Sequence, residues 1–124
     1  MKSKILIIDD DRVTLTMLEM ILSRHGYNVL SANDGDEGFK LAAKEKPDAV
    51  ISDMLIPKIH GLELCTKIKQ DPLLKDTKVI LMTAVYKGTT FQFQAKESGA
   101  DYFMEKPIDT KGLIDKLKEL LTIP

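Results

Sequence analysis

Two short apolar runs, Ile5-Leu6-Ile7-Ile8 and Ala49-Val50-Ile51-Ser52, each end abruptly in acid: Asp9-Asp10-Asp11 after the first and Asp53 after the second. A run this short and this apolar reads as a strand buried on both faces, the pattern of a parallel sheet rather than of a half-solvated antiparallel one. Parallel strands need crossover segments, usually helices, so this reading constrains the rest of the chain as well. It also places the acids at the carboxyl ends of their strands, the edge of an open α/β sheet where ligands bind. Carboxylates converging there repel one another unless a hard cation lies among them. Oxygen ligands with few dedicated protein donors suit Mg²⁺, which keeps several waters and takes phosphate oxygens as further ligands. A Mg²⁺ and phosphoryl site built from Asp9, Asp10 and Asp53 is therefore expected.

The intervening sequence supplies the helices. The spacing predicts strands over Lys4 to Ile8, Asn28 to Ala32, Ala49 to Ser52, Lys78 to Met82 and Tyr102 to Glu105. After the first strand, Met17, Leu18, Ile21 and Leu22 form one apolar face, with Asp11 as N-cap and Gly26 as the stop. Asn33-Asp34-Gly35 turns the chain into a second helix carrying Phe39, Leu41 and Ala42, which Pro47 ends. The third helix follows Gly61 with Leu64, Cys65 and Ile68, and Pro72 ends it. A fourth is expected over Thr89 to Glu97, although Gly88 and two threonines are poor helix formers. The last carries Leu113, Ile114, Leu117, Leu120 and Leu121. Strands alternating with single helices give a parallel sheet with right-handed crossovers and helices on both faces. The flavodoxin-like strand order 2-1-3-4-5 is borrowed from that fold, not read from the residues; it would set strands one and three side by side and bring Asp9, Asp10 and Asp53 together.

Composition narrows the function. The 124 residues make one domain, 1–124, long enough for a real core. With 44% apolar residues, disorder is not expected. A formal net charge of −1, with Lys and Arg spread along the chain, argues against direct nucleic-acid binding, which calls for a basic stripe. No apolar run approaches the roughly 18 residues of a membrane span, and no signal peptide precedes the first strand. Cys65 is alone and cannot form an internal disulfide; a cytoplasmic protein is the expectation.

Five pieces in order, each at a strand end, resemble the receiver domain of bacterial two-component response regulators along essentially the whole chain. They are Ile7-Ile8-Asp9-Asp10-Asp11, Asp53-Met54-Leu55-Ile56-Pro57 with Gly61, Leu81-Met82-Thr83-Ala84, Gly99-Ala100-Asp101 and Lys106-Pro107. The resemblance implies that Asp53 is the phosphoacceptor, attacking the phosphohistidine of a sensor histidine kinase or phosphotransfer protein. Mg²⁺ would be held by Asp10 directly, by Asp9 through water, by Asp53 and by the backbone carbonyl of Leu55. Lys106 would neutralise one phosphoryl oxygen, Thr83 would donate its hydroxyl to another, and Ala84 would leave room for the donor. Pro107 would follow a cis peptide bond that aims Lys106 inward. Thr83 and Phe103 would form the switch that carries the phosphorylated state to a downstream effector, through the face of the fourth helix and fifth strand. Homodimerisation on phosphorylation is a further implication. The chain would be a switch, not an enzyme with turnover, its own catalysis limited to gaining and losing a phosphoryl group.

The chain departs from the pattern in places. Phe103 stands where the family often has tyrosine, so an aromatic switch here lacks a hydroxyl; neighbouring Tyr102 faces the other way along the strand. Leu55 and Val85, two residues beyond Asp53 and Thr83, are apolar and offer nothing to orient a hydrolytic water. Phe91 and Phe93 fall on opposite faces of the expected fourth helix. Pro57 and Gly61 read as loop-shaping, Cys65 as a buried helix residue, and His25 and His60 as exposed. An aspartate-nucleophile phosphohydrolase usually carries a second acid two residues after the nucleophile, where this chain has Leu55. A flavodoxin-like cofactor site would need a hydroxyl- and glycine-rich loop where Asp9-Asp10-Asp11 would repel a phosphate.

Overall fold

Strands β1 (Lys4–Ile8), β2 (Asn28–Ala32), β3 (Ala49–Asp53), β4 (Lys78–Thr83) and β5 (Tyr102–Glu105) pair in parallel throughout, in the order β2-β1-β3-β4-β5. The structure, a computed structural model, describes residues 2–56, 58–83 and 96–122. Helices α1 (Arg12–Arg24), α2 (Gly35–Glu45), α3 (Gly61–Gln70) and α4 (Thr110–Thr122) complete the described elements. The sheet order is the one expected of a flavodoxin-like fold.

The apolar runs are explained by two cores, one on each side of the sheet. Ile5 and Ile7 join Leu15, Leu18 and Leu22 of α1 and Leu113 and Leu117 of α4. Leu6 and Ile8 join Ala42 of α2 and Leu64, Cys65 and Ile68 of α3. A strand that feeds a core on each face has no position left for a polar residue, and each fully buried Leu or Ile contributes about 1.5–3 kcal/mol over exposure. At the edge, β2 exposes Asn28 and Ser31, half-buries Val29 and Leu30 and buries only Ala32, in keeping with its mixed sequence.

The helix ends follow local chemistry. Asp11 caps α1, its carboxylate accepting from the Val13 N–H. Gly26, at φ +88°, closes the helix: its N–H reaches Ser23 O at 3.0 Å and the Tyr27 N–H reaches Leu22 O at 3.2 Å. That pair of bonds requires a left-handed residue at the turn, which glycine adopts without strain. Asp34 caps α2 in the same way through the Glu37 N–H at 2.8 Å.

Two strand ends run one residue past the apolar pattern, because β3 includes Asp53 and β4 includes Thr83 in their ladders. Period and hydropathy fade at these polar residues while backbone pairing continues. Of the helix expected over Thr89 to Glu97, Lys96 and Glu97 are helical; the remainder, with Phe91 and Phe93, lies outside the described residues, as do Pro57, Ala84 and Val85.

Candidate functional site

Strand register assembles the site. Ile8 sits opposite Ser52, Asp53 opposite Met82, and Thr83 opposite Glu105. Asp9, Asp53, Thr83 and Lys106 are therefore the last or next residues of four adjacent strands, all at the carboxyl edge. The backbone continues the ladder past each strand end: the Met54 N–H donates to Met82 O and the Lys106 N–H to Thr83 O, both at 2.8 Å.

Lys106 joins the acids. Its ammonium donates to Asp9 Oδ2 at 2.7 Å and to Asp53 Oδ2 at 2.9 Å. The other oxygen of each carboxylate is held by backbone two residues on: Asp9 Oδ1 by the Asp11 N–H at 2.9 Å and Asp53 Oδ1 by the Leu55 N–H at 3.1 Å. The Asp9 side chain is 1% exposed, that of Asp53 11% and that of Lys106 17%, so these are largely desolvated charges. Burial lowers the pKa of the Lys106 ammonium, but its hydrogen bonds to the two carboxylates and their charges outweigh that and hold it above its ordinary value. The Lys106–Pro107 peptide is cis.

Asp10 is exposed and turns the pair of acids into a cluster: one oxygen from each of Asp9, Asp10 and Asp53 lies within 4.8 Å of the others. Three formal negative charges face one ammonium, leaving a surplus of two. All the donors are hard oxygens, and one side of the cluster is open to solvent. A small divalent cation that retains waters fits this donor set. Asp11, although adjacent, serves the helix: the Thr14 hydroxyl donates to its Oδ2 at 2.7 Å and, as the largest influence, holds its carboxyl below the ordinary value.

The remaining sequence candidates take distinct places. Thr83 is buried at the site edge, 1% exposed. Leu55 is exposed beside Asp53. Phe103 packs half-buried against the α2–α3 core and Tyr102 against the α1–α4 core, the alternation expected of the strand. His60 is exposed at the N-cap of α3 and makes no side-chain cap bond. His25 caps α1, its Nδ1 3.0 Å from Ile21 O. Cys65 is buried, and burial pushes its thiol pKa up.

Two features escaped the sequence reading. Gly61 packs directly on the Asp53–Met54 backbone: a Cβ there would lie 2.5 Å from Asp53 O and 2.8 Å from Met54 Cα. Asp101 had no assigned role; its Oδ2 accepts from Lys69 Nζ and from the Val79 N–H, both at 2.8 Å, tying the entry of β5 to α3 and β4. No spacing rule signals either.

This arrangement matches known proteins. The profile of the response regulator receiver domain matches residues 5–118. The chain is 36% identical over 122 residues to the alkaline phosphatase synthesis transcriptional regulatory protein PhoP of Bacillus subtilis, covering 98% of this chain and 49% of that protein. It is 35% identical over 120 residues to the response regulator PleD of Caulobacter vibrioides, covering 97% of this chain and 26% of that protein. The chain thus spans half or less of the length of these relatives. Among solved structures, the chemotaxis response regulator CheY4 of Vibrio cholerae superposes with a TM-score of 0.90 at 27% identity, covering 98% of this chain and 100% of that one. A CheY-like receiver domain protein of Methanospirillum hungatei superposes with a TM-score of 0.90 at 30% identity, covering 98% of this chain and 95% of that one. The fold is a receiver-type α/β domain with a carboxylate cluster at the carboxyl edge of its sheet. The chain belongs to the response regulator receiver domain family. No helix among the described residues is long and apolar enough to cross a membrane.

Proposed function

We propose that residues 1–124 form one receiver unit that accepts a phosphoryl group on Asp53 from the phosphohistidine of a sensor histidine kinase or phosphotransfer protein, in a Mg²⁺-dependent reaction. The observation that carries this reading is the two-carboxylate grip on Lys106 beside the exposed Asp10, with its surplus of two negative charges.

A carboxylate needs no deprotonation at neutral pH, so Asp53 is ready to attack phosphorus, and the work left to the protein is positioning and charge neutralisation. The Leu55 N–H fixes one Asp53 oxygen and so orients the carboxylate. As the new P–O bond forms, the P–N bond of the donor breaks and the imidazole leaves with the electron pair. Lys106, already hydrogen-bonded to Asp53, moves its charge onto a phosphoryl oxygen. The Thr83 hydroxyl donates to another, and alanine at position 84, being small, would leave room for the donor. Asp10, Asp53 and the Leu55 carbonyl would hold the metal directly, and Asp9 would hold it through water. Bound there, Mg²⁺ would supply positive charge to offset that of the transferring phosphoryl group. Reorientation of Thr83 and Phe103 then reports the modified state to an effector protein, or to an output segment, through the β5 side of the domain. Self-association on phosphorylation and residence in the cytoplasm belong to the same reading. The domain catalyses only the gain and loss of its own phosphoryl group.

Intact-mass measurement after incubation with phosphoramidate and Mg²⁺ tests this. Wild type gains one phosphoryl group and Asp53→Asn gains none. A normal gain in Asp53→Asn overturns the assignment.

A further inference from the structure

We infer that the Asp34–Gly35 corner, where β2 turns into α2, is the seat of the loop that follows Asp53, and that this corner positions the phosphoacceptor and the Leu55 carbonyl from outside the site. The inference rests on the proposed metal-dependent role of Asp53.

The loop is pinned at both ends. At its start, the Leu55 N–H holds Asp53 Oδ1 at 3.1 Å. At its end, the Gly61 N–H donates to Met54 O at 3.0 Å, and Gly61 lies against the Asp53 backbone. Its apex carries Lys58 at φ +73°, a left-handed conformation that a side-chain-bearing residue holds only when its surroundings impose it. The surroundings here belong to α2. A Cβ on Gly35 would strike the carbonyl of Ile59 and lie 2.6 Å from the Ile59 Cβ, so the first residue of α2 touches the loop backbone with no room to spare. One residue earlier, the Asp34 carboxylate caps α2 and lies 3.6 Å from Lys58 Nζ. Ile59 itself packs on the α2–α3 core. A strained apex, a glycine contact and an ion pair thus converge on one corner, and what they hold in place is Lys58 and Ile59 of the loop.

Helix propensity sharpens the test. Gly35 is not among the residues at positive φ, so alanine there meets no backbone penalty and is the better helix former. A purely local role predicts that Gly35→Ala leaves the loop unchanged. A seat predicts displacement of Ile59 and loosening of the loop. In metal-free protein, amide hydrogen exchange at Leu55 and Gly61 is expected to accelerate at least tenfold in Gly35→Ala, with the Ile7 amide of β1 unchanged. Calorimetric titration should show Mg²⁺ affinity at least tenfold weaker. If Gly35→Ala does not fold, Lys58→Gly takes its place: it relieves the left-handed strain and deletes the ion pair, and should accelerate the same two amides to a smaller extent. Wild-type exchange at Leu55 in the folded variant overturns the seat, and so does acceleration spread equally to Ile7. A wild type that neither binds Mg²⁺ nor gains a phosphoryl group refutes the proposed function instead, and leaves the exchange experiment to decide the seat.

Discussion

Replacing Lys106 by Met keeps much of the side-chain volume and removes the ammonium that two buried carboxylates share. Breaking a buried pair from one side costs about 3–5 kcal/mol; with Asp53 partly open to water, ~3 kcal/mol is the appropriate figure. At roughly 2.1 cal/mol/K per residue, unfolding 124 residues carries about 0.26 kcal/mol/K, so the metal-free melting temperature should fall by ~12 °C. Mg²⁺ should then restore much of the loss, because the ammonium and the cation compete for the same oxygens. Even with water-like screening, a divalent ion about 4 Å from a unit charge is repelled by ~2 kcal/mol, so deleting the ammonium should tighten Mg²⁺ binding about 30-fold. At ten times the wild-type dissociation constant, wild type gains about 1.4 kcal/mol and Lys106→Met about 3.4 kcal/mol. Those gains correspond to melting shifts of ~5 °C and ~13 °C. Differential scanning calorimetry in chelator and in Mg²⁺ measures all four values. A variant that melts with wild type in chelator shows that Lys106 compensates nothing. A Mg²⁺ shift no larger than that of wild type refutes the competition.

Further outcomes follow from the same geometry. Asp10→Ala should abolish the Mg²⁺-dependent rise in melting temperature and raise the metal-free value, by removing one repelling charge; an undiminished rise would place the metal elsewhere. Alkaline pH should act through Lys106: because its folded pKa is raised, its stabilisation is complete below the unfolded value near 10.5 and is lost as pH climbs through the higher folded value. Burial also raises the Tyr27 phenol above its ordinary value, so it too titrates at alkaline pH and the comparison of Lys106 with Lys106→Met belongs in a Tyr27→Phe background, where the two stability curves should converge at high pH. The phosphorylated form should be long-lived, since Leu55 and Val85 cannot hydrogen-bond a water; Leu55→Asn with Val85→Glu should lose the phosphoryl group about tenfold faster by intact mass, a barrier drop of ~1.4 kcal/mol. Equal lifetimes would show that other residues control water access.

The acids were legible in the sequence because strand ends are legible. An unbroken apolar run must be buried on both faces, and the next residue emerges at the sheet edge, so the runs themselves fix where Asp9, Asp10 and Asp53 lie. The caps were legible for the same local reason: Asp11, Asp34 and Gly26 act on backbone within a few residues of themselves. Lys106 was legible only through the resemblance, since nothing in its neighbourhood indicates that its ammonium reaches residues 97 and 53 positions away. Gly35 and Gly61 were legible as turn and loop residues but not as contacts. Their function is the absence of a Cβ against a backbone that another segment brings to them, and no local pattern records which segment that is. The clustered acids therefore announce themselves by type and period, whereas the residues that position them are set by the packing of the β3–α3 loop on its neighbours. Changes at this second group should alter metal affinity and phosphorylation rate while every acid and the lysine remain in place.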